Sequence, residues 1–212
     1  MSPRLRVALA DDHAVVRTGY RRLLELEDDM EVVADFGDSD SACAWFAAHR
    51  ADVLVLDLSM PGRGGLETLA RVKSRDGAPR VLVFSMHDSP AMVEQALKAG
   101  ADGYLTKSSE PELLIDAVRR VARGERALSP DVASALAGIA GEAVHLELSP
   151  REFEIFRLLA AGRTVEQIAA RLFLSAKTVA NYQTTIRQKT GLASVLEMYR
   201  HADEHRLLDG TE

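Results

Sequence analysis

Short apolar runs and helical stripes alternate along the first half of the chain. LRVALA (5–10), EVVADF (31–36), VLVLD (53–57), RVLVFS (80–85) and DGYLT (102–106) have the length and composition of strands. Between them, apolar residues recur at helical spacing: Val16, Tyr20, Leu23 and Leu24, then Leu66, Leu69, Ala70 and Lys73. Val93, Ala96 and Leu97 follow, and then Leu114, Ala117, Val118 and Val121. Five strands alternating with about five helices predict βαβ units and a parallel sheet. The strand runs are apolar at consecutive positions, as a sheet covered on both faces requires.

Residues 123–148 break this pattern. Gly124, Pro130, Gly138 and Gly141 flank the Ala-rich piece VASALAGIA, which predicts a linker with one short helix. From Ser149 the pattern is helical only. Ser149, Pro150 and Glu152 form an N-terminal signature ahead of an apolar stripe at Phe153, Phe156, Leu159 and Ala160, and Gly162 ends that helix. Thr164 with Gln167 opens a second helix. Ser175 caps a third, with Val179, Tyr182 and Ile186 on one face, and a fourth is expected from about Ala193 to His205.

Composition adds limits. A chain of 212 residues has room for two domains. No apolar run reaches the roughly 18 residues of a membrane span, and the N-terminus lacks a leader's cleavage pattern, so a cytoplasmic protein is expected. Cys43, the single cysteine, cannot form an internal disulfide and lies on an apolar helix face, where core packing is expected. His13, His49 and His87 have no ligand spacing and are expected at the surface. Net charge is −7 over residues 1–148 and +1 from Ser149 onward, an asymmetry that fits an acidic domain joined to one that meets a polyanion.

The chemistry gathers where strands end. In an open parallel sheet, ligands bind beyond the carboxyl ends of the strands. Asp11 and Asp12 follow the first strand, Asp57 ends the third, Ser85 ends the fourth, and Thr106 and Lys107 follow the fifth. Three carboxylates alone would repel until one took a proton. A hard divalent cation such as Mg²⁺ relieves that repulsion and admits a phosphate. Asp57 can then act as a nucleophile toward a phosphoryl donor, with Ser85 and Lys107 holding phosphoryl oxygens.

These pieces, ADDH, the strand into Asp57, MPGRGGLE, VFSMHD and KAGADGYLTK, resemble a response regulator receiver domain over about residues 4–123. The resemblance implies a flavodoxin-like, doubly wound α/β fold with a five-stranded parallel sheet. It implies Asp57 as phosphoacceptor, and Mg²⁺ held by Asp11, Asp12, Asp57 and the Ser59 backbone carbonyl. Ser85 would be the hydroxyl that moves toward the phosphate, Tyr104 the aromatic that swings inward, and Lys107 the partner of the phosphoryl group. A haloacid dehalogenase-type phosphatase would instead want a second acid two residues after Asp57, where Ser59 stands.

Residues 164–189 read as helix, turn, helix, a unit that can set its second helix in a major groove. With Val179, Tyr182 and Ile186 inward, the opposite face carries Lys177, Ala180, Asn181, Thr184, Arg187 and Gln188. Asn and Arg can read bases there, and Lys and Thr suit phosphates. A solvated face used for protein contacts fits the helices equally well. The frame Leu148-Ser149-x-Arg151-Glu152, Gly162, Ile168-Ala169-x-x-Leu172, Ser175, Thr178-Val179, Ile186 and Lys189 resembles a LuxR-type helix-turn-helix. Its DNA-contacting set would be Lys177, Thr178, Ala180, Asn181, Thr184, Arg187 and Gln188. Ala180 and Tyr182 depart from the family's frequent Lys and His, and Thr164-Val165 from its commoner Ser-Asn.

Together the two halves resemble the NarL/FixJ subfamily of two-component response regulators: a receiver over 4–123, a linker over 124–145 and an all-α helix-turn-helix domain over 146–208. The implied protein is a transcription factor and not a metabolic enzyme. Its implied partners are a sensor histidine kinase, operator DNA, RNA polymerase and a second copy of itself on phosphorylation, which would also free the recognition helix from the receiver. The alternative is a phosphorylation-independent regulator or interaction module with a vestigial site.

Overall fold

A computed structural model describes residues 3–61, 64–137, 144–205 and 207–208. The expected strands are present as β1 (Leu5–Ala10), β2 (Met30–Phe36), β3 (Val53–Leu56), β4 (Arg80–Ser85) and β5 (Gly103–Thr106). They pair in parallel in the order β2-β1-β3-β4-β5. The expected five-stranded sheet has a sixth member, β6 (Ala127–Leu128), paired with β5 through Gly103↔Ala127 and Tyr104↔Leu128. Two residues leave no apolar run to read in a sequence, yet they cover backbone groups at the sheet's edge. A Cβ on Gly103 would overlap the Ala127 carbonyl and press on Leu82 and Val121, so glycine lets β6 approach.

Helices α1 (Ala14–Glu25) and α5 (Pro111–Ala122) cover one face of the sheet, where Leu24, Leu114, Val118 and Val121 pack on Val7, Leu9, Val53, Val55 and Leu82. Helices α2 (Ser39–Ala48), α3 (Gly65–Lys73) and α4 (Pro90–Lys98) cover the other, where Phe46, Leu69 and Val93 meet Ala8, Leu54, Leu56, Val81 and Val83. The VLVL run is apolar throughout because side chains pointing either way are buried. Cys43 is buried in the second of these layers.

The linker holds the expected short helix, α6 (Pro130–Ala137), and a 3₁₀ turn (Val144–Glu147). Gly138 and Gly141 lie outside the described residues. Four helices follow: α7 (Pro150–Ala160), α8 (Val165–Arg171), α9 (Ala176–Thr190) and α10 (Val195–Glu204). Ser149/Glu152, Thr164/Gln167 and Ser194/Glu197 each close a capping box, and Ser175 accepts from the Thr178 N–H. Phe153, Phe156, Ile168, Val179, Ile186, Met198 and Ala202 form the small core they enclose. Tyr182 is only half-buried. No helix among the described residues is long and apolar enough to cross a membrane.

The two halves are packed together. Arg151 of α7 lies 3.2 Å from Glu67 of α3 and donates to Glu154 at 2.9 Å. The Glu154 carboxylate lies over Gly64, where any Cβ would overlap it. Gln95 of α4 donates to the His145 carbonyl at 2.7 Å. Burial pushes the Glu154 carboxyl up to about 7; Arg151 opposes the rise and Glu67 adds to it.

Candidate functional site

The register of the sheet brings the sequence-predicted acids together. The Asp57 N–H donates to the Ala10 carbonyl at 2.8 Å, which sets the residue after β3 beside the residues after β1. The Lys107 N–H donates to the Ser85 carbonyl at 2.9 Å, which fixes the residue after β5 against the end of β4. The Lys107 ammonium then reaches Asp57 Oδ2 at 2.5 Å and Asp11 Oδ2 at 2.8 Å. The other oxygens are also taken: Asp57 Oδ1 accepts from the Ser59 N–H at 3.0 Å, and Asp11 Oδ1 from the His13 N–H at 2.8 Å.

Asp57 is 2% exposed and Asp11 6%. Burial alone would push the Lys107 ammonium down, but hydrogen bonds and charge from Asp11 and Asp57 outweigh it and hold the group above its usual value. Asp12 Oδ1 is buried without a hydrogen bond; the nearest ring is His13, whose Nδ1 stands 2.9 Å away and pairs as an ion only when protonated. Ligand atoms of Asp11, Asp12, His13 and Asp57 lie within 4.8 Å of one another. Three carboxylates gather here, two of them on one ammonium, one carboxylate oxygen is unsatisfied, and the acidic donors are hard oxygens. That donor set fits a hard divalent cation such as Mg²⁺.

Ser85 and Tyr104 are fully buried and both hold the same loop. The Tyr104 hydroxyl donates to the His87 carbonyl at 2.7 Å, and the His87 N–H approaches Ser85 Oγ at 3.4 Å. Burial pushes the Tyr104 phenol far above its usual value. Tyr104 therefore already stands inward in this structure. His87, expected at the surface, is 6% exposed because its loop is drawn under α4's start by these two bonds; its ring Nε2 lies 3.4 Å from Ser59 Oγ. His13 and His49 are exposed as expected, the latter stacked on Trp45.

On α9, Lys177, Ala180, Asn181, Thr184, Arg187 and Gln188 are all exposed. Thr178 is half-buried because its N–H donates to Ser175 Oγ and its hydroxyl lies 2.7 Å from the same atom, so it serves the helix cap. The receiver half does not bury these side chains from solvent. The turn between α8 and α9 carries Phe173 at φ +53° and 77% exposed, an unusual backbone for a bulky residue.

One cluster escaped the sequence reading. His145, His201 and His205 place a ring nitrogen each within 4.8 Å of the others. The i, i+4 spacing of His201 and His205 was the available signal; His145 is too far along the chain to be linked to them by spacing.

Comparisons with known proteins agree with both halves. Residues 7–119 match the response regulator receiver domain, and residues 146–202 match the luxR family of bacterial regulatory proteins. The chain is 41% identical to the transcriptional regulatory protein UhpA of Salmonella typhimurium, over 97% of this chain and 99% of UhpA. It is 37% identical to the oxygen regulatory protein NreC of Staphylococcus carnosus, over 97% and 100%. Among solved structures it resembles RcsB of Salmonella enterica serovar Typhimurium, bound to a promoter in the presence of the phosphomimetic BeF₃⁻. That likeness has a TM-score of 0.69 and 30% identity, and covers 95% of this chain and 99% of RcsB.

Proposed function

The chain belongs to the two-component response regulators, a receiver domain joined to a luxR-family DNA-binding domain, and from that membership we propose a transcription factor switched by phosphorylation of Asp57. The observation that carries this reading is the Lys107 ammonium held between Asp57 and Asp11 at the carboxyl edge of the sheet. A nucleophilic carboxylate, a cation for the incoming phosphoryl oxygens and a spare acidic ligand set meet at one point.

In the proposed step an Asp57 oxygen attacks the phosphorus of a phosphohistidine on a sensor kinase. A P–O bond forms, the P–N bond breaks, and the imidazole leaves. Lys107, bound to Asp57 beforehand, stays to pair with the new phosphoryl group. Asp11, Asp12, Asp57 and the Ser59 carbonyl would hold Mg²⁺, which would supply positive charge where one anion approaches another. Ser85 turns its hydroxyl to a phosphoryl oxygen and so slackens its hold on the His87 N–H. Tyr104 keeps the other end of that loop. The receiver assists its own phosphorylation and dephosphorylation and acts on no other substrate.

The same reading assigns the receiver to residues 4–123, a linker to 124–145 and the DNA-binding domain to 146–208. Lys177, Thr178, Ala180, Asn181, Thr184, Arg187 and Gln188 face operator DNA. Phosphorylated copies pair as dimers on two half-sites, RNA polymerase is contacted from the bound dimer, and the protein works in the cytoplasm. RcsB, captured on promoter DNA with a phosphomimetic, supports extending this coupling to the present chain. Acetyl phosphate with Mg²⁺ should label the wild-type chain, seen as a shifted band on phosphate-affinity gels, and should tighten operator binding. Labelling without any change in operator affinity or oligomeric state would reject the switch. Absence of labelling would favour a vestigial receiver.

A further inference from the structure

We propose that His145, His201 and His205 form a binding site for a borderline first-row divalent cation, Zn²⁺ foremost, which staples the linker to the last helix. His145 lies in the 3₁₀ turn, His201 in the last turn of α10 and His205 at that helix's C-cap. His145 is 1% exposed and the other two are half-buried. His145 Nδ1 and His201 Nε2 are 2.9 Å apart, so a single proton is shared between two imidazoles. The remaining nitrogen, His145 Nε2, is buried with no hydrogen-bond partner. A buried ring that satisfies only one of its two nitrogens, and does so with another ring, is an incomplete polar network.

A cation at the facing nitrogens would replace the ring–ring hydrogen bond with metal–nitrogen bonds. Zn–N bonds of about 2.0–2.1 Å put tetrahedral ligand nitrogens about 3.3 Å apart. One nitrogen of each ring already lies within 4.8 Å of the other two. The 2.9 Å pair need open by only a few tenths of an ångström, with the shared proton giving way to the metal. The ring centroids, 4.4 to 5.2 Å apart, show the three imidazoles already gathered round one point. Phe153 lies against His145 and Phe156 against His201, giving the cluster an apolar floor. The half-exposed side toward His205 leaves a fourth position for water. Three imidazoles suit Zn²⁺, Ni²⁺ or Cu²⁺ and not Mg²⁺, so this site and the strand-end acids select different metals.

The site also has a place in the architecture. The His145 carbonyl accepts from Gln95 of α4, so the turn that would hold the metal is tied to the receiver half. A cation bound there would fix the 3₁₀ turn, which Gln95 ties to α4, to the end of α10.

The test uses the tag-free full-length chain. Dialysis against a small excess of Zn²⁺, followed by elemental analysis, should leave one zinc per chain at this site. Co²⁺ should bind with the strong visible absorption of a tetrahedral ion. His201→Gln and His205→Gln should each weaken binding at least about tenfold, since loss of even an outer partner costs 10–100-fold, and should abolish the cobalt spectrum. His205 is half-buried, so His205→Gln is expected to fold, and unchanged far-ultraviolet dichroism checks this. Asp12→Ala should leave the cobalt spectrum unchanged, which separates this site from the acidic cluster. A wild-type chain that retains no zinc, or histidine variants that bind as wild type does, overturns the proposal.

Discussion

Lys107 and Lys177 both sit just past the start or end of an element, yet their surroundings are opposites. The Lys107 side chain is 6% exposed and clamped between two carboxylates. Lys177 is exposed in the first turn of α9, where no acid stands, and makes no ion pair among the described residues. A cation near the positive end of a helix dipole is mildly unfavourable. The first lysine is satisfied by the protein itself. The second is satisfied only by something outside it, and a polyanion along the α9 face is what the luxR-family half would meet. Buried charge here marks chemistry the fold performs alone, and exposed, uncompensated charge marks a surface that waits for a partner.

Asp57→Ala should break that comparison most completely. Phosphoryl uptake from acetyl phosphate should fall to zero, because no other carboxylate in the cluster lies so close to Lys107. The fold should survive: Lys107 keeps Asp11, and a cluster of three acids loses one source of repulsion. Labelling of the variant at the wild-type level, on a phosphate-affinity gel, would remove Asp57 from its role.

The two regions were not equally legible. The strand-end acids could be read because each follows an apolar run whose length fixes where the strand stops; β1 and β4 ended where the runs ended. The α9 face was legible only as a helix side, since nothing in its residues distinguishes DNA from solvent. β6 was hidden by its length, and α2 showed no clear stripe because alanines occupy much of it. The contact between the halves left no trace at all. Gly64 under Glu154, Arg151 beside Glu67, and Gln95 on the His145 carbonyl each join distant segments through single side chains, and no periodicity announces such pairs. The buried place of His87 was lost for the same reason: it follows from a bond by Tyr104 across 17 residues.

That contact lies between the two regions and should respond to pH. The Glu154 carboxyl is pushed up to about 7 in the packed protein, against an ordinary value of 4.5. The packed state therefore holds a proton that the unfolded chain has released. Its contribution is present in full below pH 4.5 and is lost as pH rises toward 7, by at most about 1.4 kcal/mol per pH unit. His145, held down at about 3, acts with the opposite sign as pH falls below 6.5. Glu154→Gln isolates the acid: subtracting its thermal-unfolding midpoints from those of wild type between pH 5 and 8 should leave a difference that falls with pH. A flat difference would place Glu154 in contact with solvent.

Asn181→Ala sharpens the exposed side of the comparison. Asn181 is exposed on α9, and its side chain makes no hydrogen bond among the described residues, which leaves it able to make a bidentate adenine contact. Truncation should relax base preference at one operator position by about 1–3 kcal/mol while leaving binding to unrelated DNA unchanged. A binding screen over an operator library reads this directly, and an unchanged preference at every position would take Asn181 out of the reading set.

Lys177→Ala should have the smallest effect and the most specific signature. If this lysine meets a phosphate, it releases about one condensed counterion, so the slope of log K against log salt should flatten by about one unit. Affinity should drop for every sequence alike, because a phosphate contact carries no base information. The loss should also shrink as salt rises, which a lost base contact would not do. A competing gain arises in the free protein: removing a cation from the helix's positive end stabilises α9 by roughly 0.3–1 kcal/mol at low salt. The variant should therefore melt no lower than wild type, and slightly higher at low ionic strength, while binding DNA more weakly. Stability and affinity moving in opposite directions is what separates a residue placed for a partner from one placed for the fold. Were Lys177→Ala to lower both together, Lys177 would belong with Lys107 as a charge the protein needs for itself.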